Sequence, residues 1–385
     1  MANYQENIDS QLPALNLLQK LGWKYISPEE TVTQRGDIMS NVLLEEVLVE
    51  KLKEINSFDY KGSSYKFSEG NIHAAIHALK NLPDEGLVRT NEKAYDLLTL
   101  GKSFEETIQG DKKSFTIKYI DWENINNNAF HISDEYVVEG INDTRRPDLV
   151  LFVNGIPFCV IENKRRDKNA SIEESISQHT RNQGKEQGIP KLFYYNQLLL
   201  AVQPNEVKYG AIDTKPKFWS YWQEPEDIES KVKSIISSNL NGVKGEDRLP
   251  TEQDRALYSL CSIERLMDLV FKFTLYDGGV KKITRYQQFS AVKNSLERIK
   301  EFTNDGQRKG GVIWHTQGSG KSLTMVMLAK SIALEKEVVN ARIIIVTDRV
   351  DLDKQISNTF HSCGKEAIRA KSGNHLIELL NESGV

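Results

Sequence analysis

The stretch from Gly311 to Ser322 restricts the possible folds of this chain more than any other. Gly311-Val312-Ile313-Trp314-His315 is a short β-rich run, Thr316-Gln317-Gly318-Ser319-Gly320-Lys321-Ser322 is a glycine-bearing loop, and an apolar-periodic segment follows. Strand, glycine loop and helix in that order form the context of a phosphate-binding loop. Gly318 and Gly320 let successive backbone N–H groups turn inward on an anion, and the helix presents its positive end to it. Lys321 would reach the β/γ-phosphates, and the Ser322 hydroxyl would take a place on Mg²⁺. The general pattern opens on glycine; here His315 stands in that place. Arg342–Thr347 reads as the next parallel strand. The spacing therefore predicts a βαβ unit that binds a nucleoside triphosphate, with Thr316, Gln317, Gly318, Ser319, Gly320, Lys321 and Ser322 as its contacts.

One such unit does not use up 385 residues, so at least two domains are expected. The polar, turn-rich stretch at 236–255 is the expected linker, dividing a first domain at 1–235 from the front of the nucleotide-binding domain at 256–385. Cys159, Cys261 and Cys363 have neither a disulfide framework nor a zinc spacing, which fits a reducing cytoplasm. No apolar run approaches membrane-spanning length, and the N-terminus lacks a basic-then-apolar leader, so no membrane association is expected. A net charge of −4 neither signals nor excludes nucleic-acid binding, because a local basic face can act within an acidic chain.

The first domain carries a second informative segment. Arg145-Arg146-Pro147-Asp148 opens the apolar run Leu149–Val153, Asn154-Gly155 turns it, and Ile156–Ile161 returns to Glu162-Asn163-Lys164-Arg165-Arg166. Two continuous apolar strands imply a hairpin covered on both faces, at the centre of a sheet. Mg²⁺-dependent phosphodiester hydrolysis needs carboxylates on the metal and a cation near the phosphate or attacking water. Asp148, Glu162 and Lys164 are the right types, with Asp148 and Glu162 as metal ligands. Such triplets are common by chance, and a strand-end Asp with a rim Glu–Lys pair is the plain structural reading. The buried hairpin, with basic flanks converging at one end, favours the site.

Register decides whether the two acids can meet. A two-residue turn at Asn154-Gly155 would pair Asp148 with Ile161 and send Glu162 to the opposite face. A three-residue loop with Gly155 at a bulge pairs Asp148 with Val160, making Glu162 a diagonal neighbour. The bulged loop is therefore the expectation.

Upstream of the phosphate loop, Arg285-Tyr286-Gln287-Gln288-Phe289-Ser290-Ala291 offers an amide suited to an adenine edge. Downstream, Asp348–Gln355 follows the expected strand, where translocating ATPases grip a nucleic-acid backbone; a capped helix start is the plainer reading of this segment and is preferred. No Asp-Glu pair follows an apolar strand after Lys321, and no arginine finger can be placed. The chain is thus expected to be the front of a motor, binding ATP weakly without full ATPase activity.

With both halves in view the chain resembles the N-terminal part of the R (restriction and translocation) subunit of type I restriction enzymes. The resemblance covers essentially the whole sequence. It rests on Asp148, Glu162 and Lys164 as a PD-(D/E)xK motif, Arg285-x-x-Gln288-x-x-Ala291 as an adenine-reading motif, and His315–Ser322 as helicase motif I. Asp121-Trp122-Glu123-Asn124 and Arg146–Lys164 also look typical. The resemblance implies an α/β fold, a restriction-endonuclease-like mixed sheet flanked by helices, followed by the start of a RecA-like parallel α/β helicase domain. It implies Mg²⁺ and ATP as cofactors, with Gln288 rather than Gln287 reading adenine. It further implies double-stranded DNA as substrate, ATP-driven translocation, and modification (methyltransferase) and specificity subunits as partners. Some nucleases of this class carry a Gln-x-x-x-Tyr after the lysine; here Gln178 is followed by Asn182, leaving its role open, as is that of a first-helix acid, Glu6 or Asp9. A repair-type nuclease–helicase and a regulatory ATP-binding module without nuclease activity are the competing readings.

Overall fold

The computed structural model describes residues 7–165, 171–224, 227–338 and 341–381. Two compact units divide the chain: Met1–Thr274 with Gly279–Ser290, and Leu275–Gly278 with Ala291–Val385. The expected linker at 236–255 lies inside the first unit, and the compact division falls between residues 275 and 291.

A six-stranded mixed sheet centres the first unit. Its strands are β1 (Lys24–Tyr25), β2 (Phe130–Asp134), β3 (Leu149–Val153), β4 (Ile156–Asn163), β5 (Leu198–Gln203) and β6 (Glu206–Gly210), lying side by side in chain order. β1 runs parallel to β2 and β4 parallel to β5, while β2–β3, β3–β4 and β5–β6 are antiparallel. Every residue of β3 and β4 is buried, as expected for a hairpin covered on both faces. Helix α1 (Leu12–Lys20) follows a π-helical turn at Asn7–Gln11, α2 (Ser171–Asn182) packs on β4 and β5, and α3 (Glu252–Cys261) packs on α1 and β6. A capping box between Thr251 and Asp254 starts α3, and α4 (Ile263–Phe273) follows after one residue. Trp23 donates its indole N–H to the Cys261 carbonyl at 2.8 Å and meets Phe130 edge-on. Within the segment expected to separate two domains, Ile236, Gln253 and Asp254 are buried in the first unit.

The β3–β4 turn departs from the expected loop. Asn154 (φ 50°) and Gly155 (φ 79°) are both left-handed, which is a two-residue type I′ turn, favoured by Asn-Gly because it matches strand twist. Asn154 is fully buried, and its side chain donates to the Tyr119 carbonyl and Asn128 Oδ1 and accepts from the Ala129 N–H. Gly155 accepts a bond from the Leu44 N–H, and a Cβ at this position would stand 2.4 Å from the Leu44 carbonyl oxygen. The extra residue enters one step later. Pairing runs Ile156↔Val153 and Pro157↔Phe152, then shifts to Cys159↔Leu151, Val160↔Val150 and Ile161↔Leu149. Proline has no N–H for the ladder, so the irregularity sits beside Pro157. The bulge foreseen at Gly155 is therefore at Phe158, and it moves the far end of the hairpin by one residue.

In the second unit, α6 (Lys321–Ala333) and α7 (Val350–Ser362) pack through Val326, Met327, Ile356 and Phe360. The strands expected at 311–315 and 342–347 do not form: both segments are irregular, and Val312, Trp314 and Val346 are 90%, 90% and 89% exposed. A parallel strand needs neighbours to complete its ladder and helices to cover its faces. Among the described residues of this unit no strand pairs with either segment. No helix among the described residues is long and apolar enough to cross a membrane.

Candidate active site

The shifted register governs the site. Ile161 lies opposite Leu149, so one further step along both arms sets Asp148 opposite Glu162. Directly opposed residues share a face of the sheet, with Cβ atoms about 4.5–5.5 Å apart. The two acids are therefore closer in register than the diagonal pair expected. Lys164 alternates onto the same face, and its N–H continues the pairing to β5 through the Val202 carbonyl.

Each carboxylate is held. Asp148 Oδ2 accepts from the Asn163 N–H at 2.5 Å. Glu162 is fully buried: its Oε2 accepts from Gln178 Nε2 at 2.5 Å and its Oε1 from Asn182 Nδ2 at 3.3 Å. Both donors project from α2, four residues apart and so on one helix face. Ser175, on the same helix, donates its hydroxyl to the Glu162 carbonyl at 3.0 Å. Gln178, whose role the sequence left open, thus brackets the buried acid together with Asn182, which supplies a donor without an aromatic ring.

Lys164 is 8% exposed and its ammonium donates to the Asn163 carbonyl at 2.9 Å. Two carboxylates form an all-oxygen donor set, which suits a hard divalent cation that keeps several of its waters. Among the described residues no group of three or more His, Cys, Asp or Glu is gathered for a metal. A Mg²⁺ site built from one or two carboxylates does not need one.

Part of the basic flank is neutralised locally. Arg146 pairs with Glu135 at 2.5 Å, and Arg145 pairs with Asp143 and donates to the Gln187 carbonyl. Arg166 and Glu6 lie outside the described residues, and Asp9 is exposed on the π-helical turn. His179, next to Gln178, is fully buried; burial holds its pKa down at about 4, with the Lys164 charge adding to the effect against its Leu200 bond.

In the second unit, Gly318 (φ 79°) and Gly320 (φ 80°) are both left-handed, and Gly320 caps the start of α6. Ser319 closes the loop with bonds from its N–H and hydroxyl to the Thr316 carbonyl. Lys321 folds back on the carbonyls of His315 and Thr316, at 2.7 and 2.8 Å. Gln288 belongs to the first unit, near the start of α5 (Tyr286–Lys300); it is buried, and its amide oxygen accepts from the Arg285 N–H at 2.9 Å.

The sequence has counterparts among known proteins. The family described as "Type I restriction enzyme R protein N terminus" matches residues 3–218, and the SWI2/SNF2 ATPase family matches residues 287–385. A putative type I restriction enzyme endonuclease subunit of Methanocaldococcus jannaschii, MjaIXP, is 29% identical over 99% of this chain and 36% of its own length. The HindI endonuclease subunit of Haemophilus influenzae is 28% identical over 94% of this chain and 33% of its own length. A Staphylococcus aureus type I restriction enzyme endonuclease subunit, SauCOLORF180P, is 24% identical over 78% of this chain. The chain spans about a third of the length of the first two relatives.

Proposed function

The chain belongs to the family of type I restriction enzyme R proteins, and from that premise we propose that it serves a restriction and translocation subunit, joining Mg²⁺-dependent cleavage of double-stranded DNA to ATP-driven movement along it. What carries the cleavage half is the register of one hairpin, in which Asp148 faces Glu162 at the end of two buried strands. Asp148 and Glu162 would hold the ion. When bound, Mg²⁺ would polarise the scissile phosphate and make a coordinated water more acidic.

The chain's own groups do the rest. Gln178 and Asn182 fix the Glu162 carboxylate, and the Asn163 N–H fixes Asp148, so neither acid must reorganise to meet a cation. Lys164 would set its ammonium against the charge that builds on the phosphate as water attacks. Arg145, Arg146 and Arg165, at the same end of the hairpin, would align the DNA backbone.

For the motor half, residues Thr316 to Ser322 would cradle ATP phosphates, and Lys321 would exchange its loop carbonyls for the β/γ-phosphates. The Ser322 hydroxyl would join Mg²⁺, and Gln288 would read adenine. The two left-handed glycines support this reading, since they free the loop's N–H groups to converge on an anion. Partner modification and specificity subunits would read the DNA sequence.

The test is nicking of supercoiled plasmid in Mg²⁺ or Mn²⁺. Loss of metal-dependent nicking in both Asp148→Ala and Lys164→Ala is expected, and unchanged nicking in both would leave a regulatory ATP-binding module as the better account. Stable association with a methyltransferase assembly separates the restriction reading from a repair nuclease–helicase.

A further inference from the structure

Behind the acids, on the other face of the hairpin, lies a buried polar network that the chemistry above does not use. Ser10 and Gln11 end the π-helical turn Asn7–Gln11, and they are 0% and 5% exposed. The Ser10 hydroxyl accepts from Asn163 Nδ2 at 2.9 Å and donates to Gln253 Oε1 at 2.8 Å. Gln253, on α3, returns a bond from its Nε2 to the Ser10 carbonyl at 2.9 Å. Gln11 Nε2 donates to the Asp148 carbonyl and to Glu135 Oε1, both at 3.1 Å.

Consecutive residues of one turn therefore grip both arms of the hairpin at the level of the acids. Ser10 holds the arm of Glu162 through Asn163, and Gln11 holds the arm of Asp148. Asn163 closes the circuit, since its backbone N–H bonds the Asp148 carboxylate while its side chain bonds Ser10. Asp148 stands one residue beyond the last paired residue of β3, where its carbonyl accepts from the Glu135 N–H at 3.0 Å as well as from Gln11. A π turn is an uncommon element, frequent at functional sites, and here it brings adjacent side chains to two different strands. The geometry points to Ser10, Gln11 and Gln253 as positioning residues that set the separation of Asp148 and Glu162 for a divalent cation. This rests on the metal-site reading above.

The test is Mn²⁺ binding to the 385-residue chain, followed by the electron paramagnetic resonance of free Mn²⁺ at a temperature where every variant is folded. Asp148→Ala is the reference: parent-like affinity in it would sink the metal site and this inference together. If Asp148→Ala loses binding, Ser10→Ala and Gln11→Ala are each expected to weaken Mn²⁺ by about tenfold or more, the usual effect of removing a partner of a ligand. Ser10→Thr keeps the hydroxyl and is expected to bind like the parent. In metal-free protein the same alanine variants are expected to speed hydrogen exchange at the Asn163 amide. Parent-like Mn²⁺ affinity in Ser10→Ala and Gln11→Ala, with Asp148→Ala dead, would overturn the positioning role alone. Should either alanine variant fail to fold, Gln253→Met removes the grip from the α3 side and carries the same expectation.

Discussion

Acidification should weaken this protein through His179, and by an amount that can be worked out. His179 is fully buried on α2, 5.3 Å from the Trp219 ring, with Nε2 at 2.9 Å from the Leu200 carbonyl. A carbonyl partner means that Nε2 carries the proton, leaving Nδ1 as the site to be protonated. Nδ1 is buried and has no hydrogen-bond partner, so an added proton would find no acceptor. Burial accordingly drives the pKa from the ordinary 6.5 to about 4. The folded value is the lower one, so between those limits the unfolded chain binds more protons. Stability is then complete above pH 6.5 and drains away as pH falls towards 4. At pH 5 the linkage amounts to about 2 kcal/mol from this residue, and at pH 7 to only a few tenths. Urea unfolding of the parent and of His179→Gln, each at pH 7 and pH 5, isolates it. The variant is expected to lose about 2 kcal/mol less than the parent across that interval. Because α2 also carries Gln178 and Asn182, metal-dependent nicking should fade over the same range in the parent. Equal losses in the two proteins would show that His179 does not titrate as its surroundings require, and the reasoning would fall.

Two further outcomes follow from particular contacts. Gly155→Ala forces a side chain into a left-handed turn and against the Leu44 carbonyl; thermal unfolding is expected to register about 3 kcal/mol of lost stability, and a parent-like midpoint would show the turn to be looser than described. Lys321→Ala removes the ammonium intended for phosphate, so a fluorescent ATP analogue is expected to bind about 10–100-fold more weakly, the worth of one charge-assisted bond; unchanged affinity would remove the phosphate-loop reading.

Much of the first unit could be read from local pattern. Continuous apolar runs on either side of Asn154-Gly155 announced a buried central hairpin, because only a strand covered on both faces lacks polar alternation. The position of the bulge was not legible. Whether one extra residue enters at the turn or beside Pro157 depends on how Asn154 is anchored by Tyr119, Asn128 and Ala129, and those bonds span 25 to 35 residues. The sense of the prediction survived because a distortion was needed somewhere to bring the acids to one face.

The residues around the acids were legible to different degrees. Gln178 and Asn182 lie one helical turn apart just after the lysine, a spacing that suggests joint action even without the aromatic residue some relatives of the motif carry. Ser10, Gln11 and Gln253 gave no sequence signal at all, since a serine and two glutamines far apart in the chain acquire meaning only when a turn and a helix meet behind the sheet. The strands expected at 311–315 and 342–347 show the converse. Their composition is that of buried strands, but composition cannot supply the neighbours a parallel ladder needs.

We propose that Asp148 and Glu162 bind one cation between them. Crystals soaked in Mn²⁺ and measured at the manganese absorption edge test it most directly. A single anomalous peak within bonding distance of both carboxylates, absent in Glu162→Gln, is the predicted result. No peak at the hairpin, or one that touches neither acid, would contradict it.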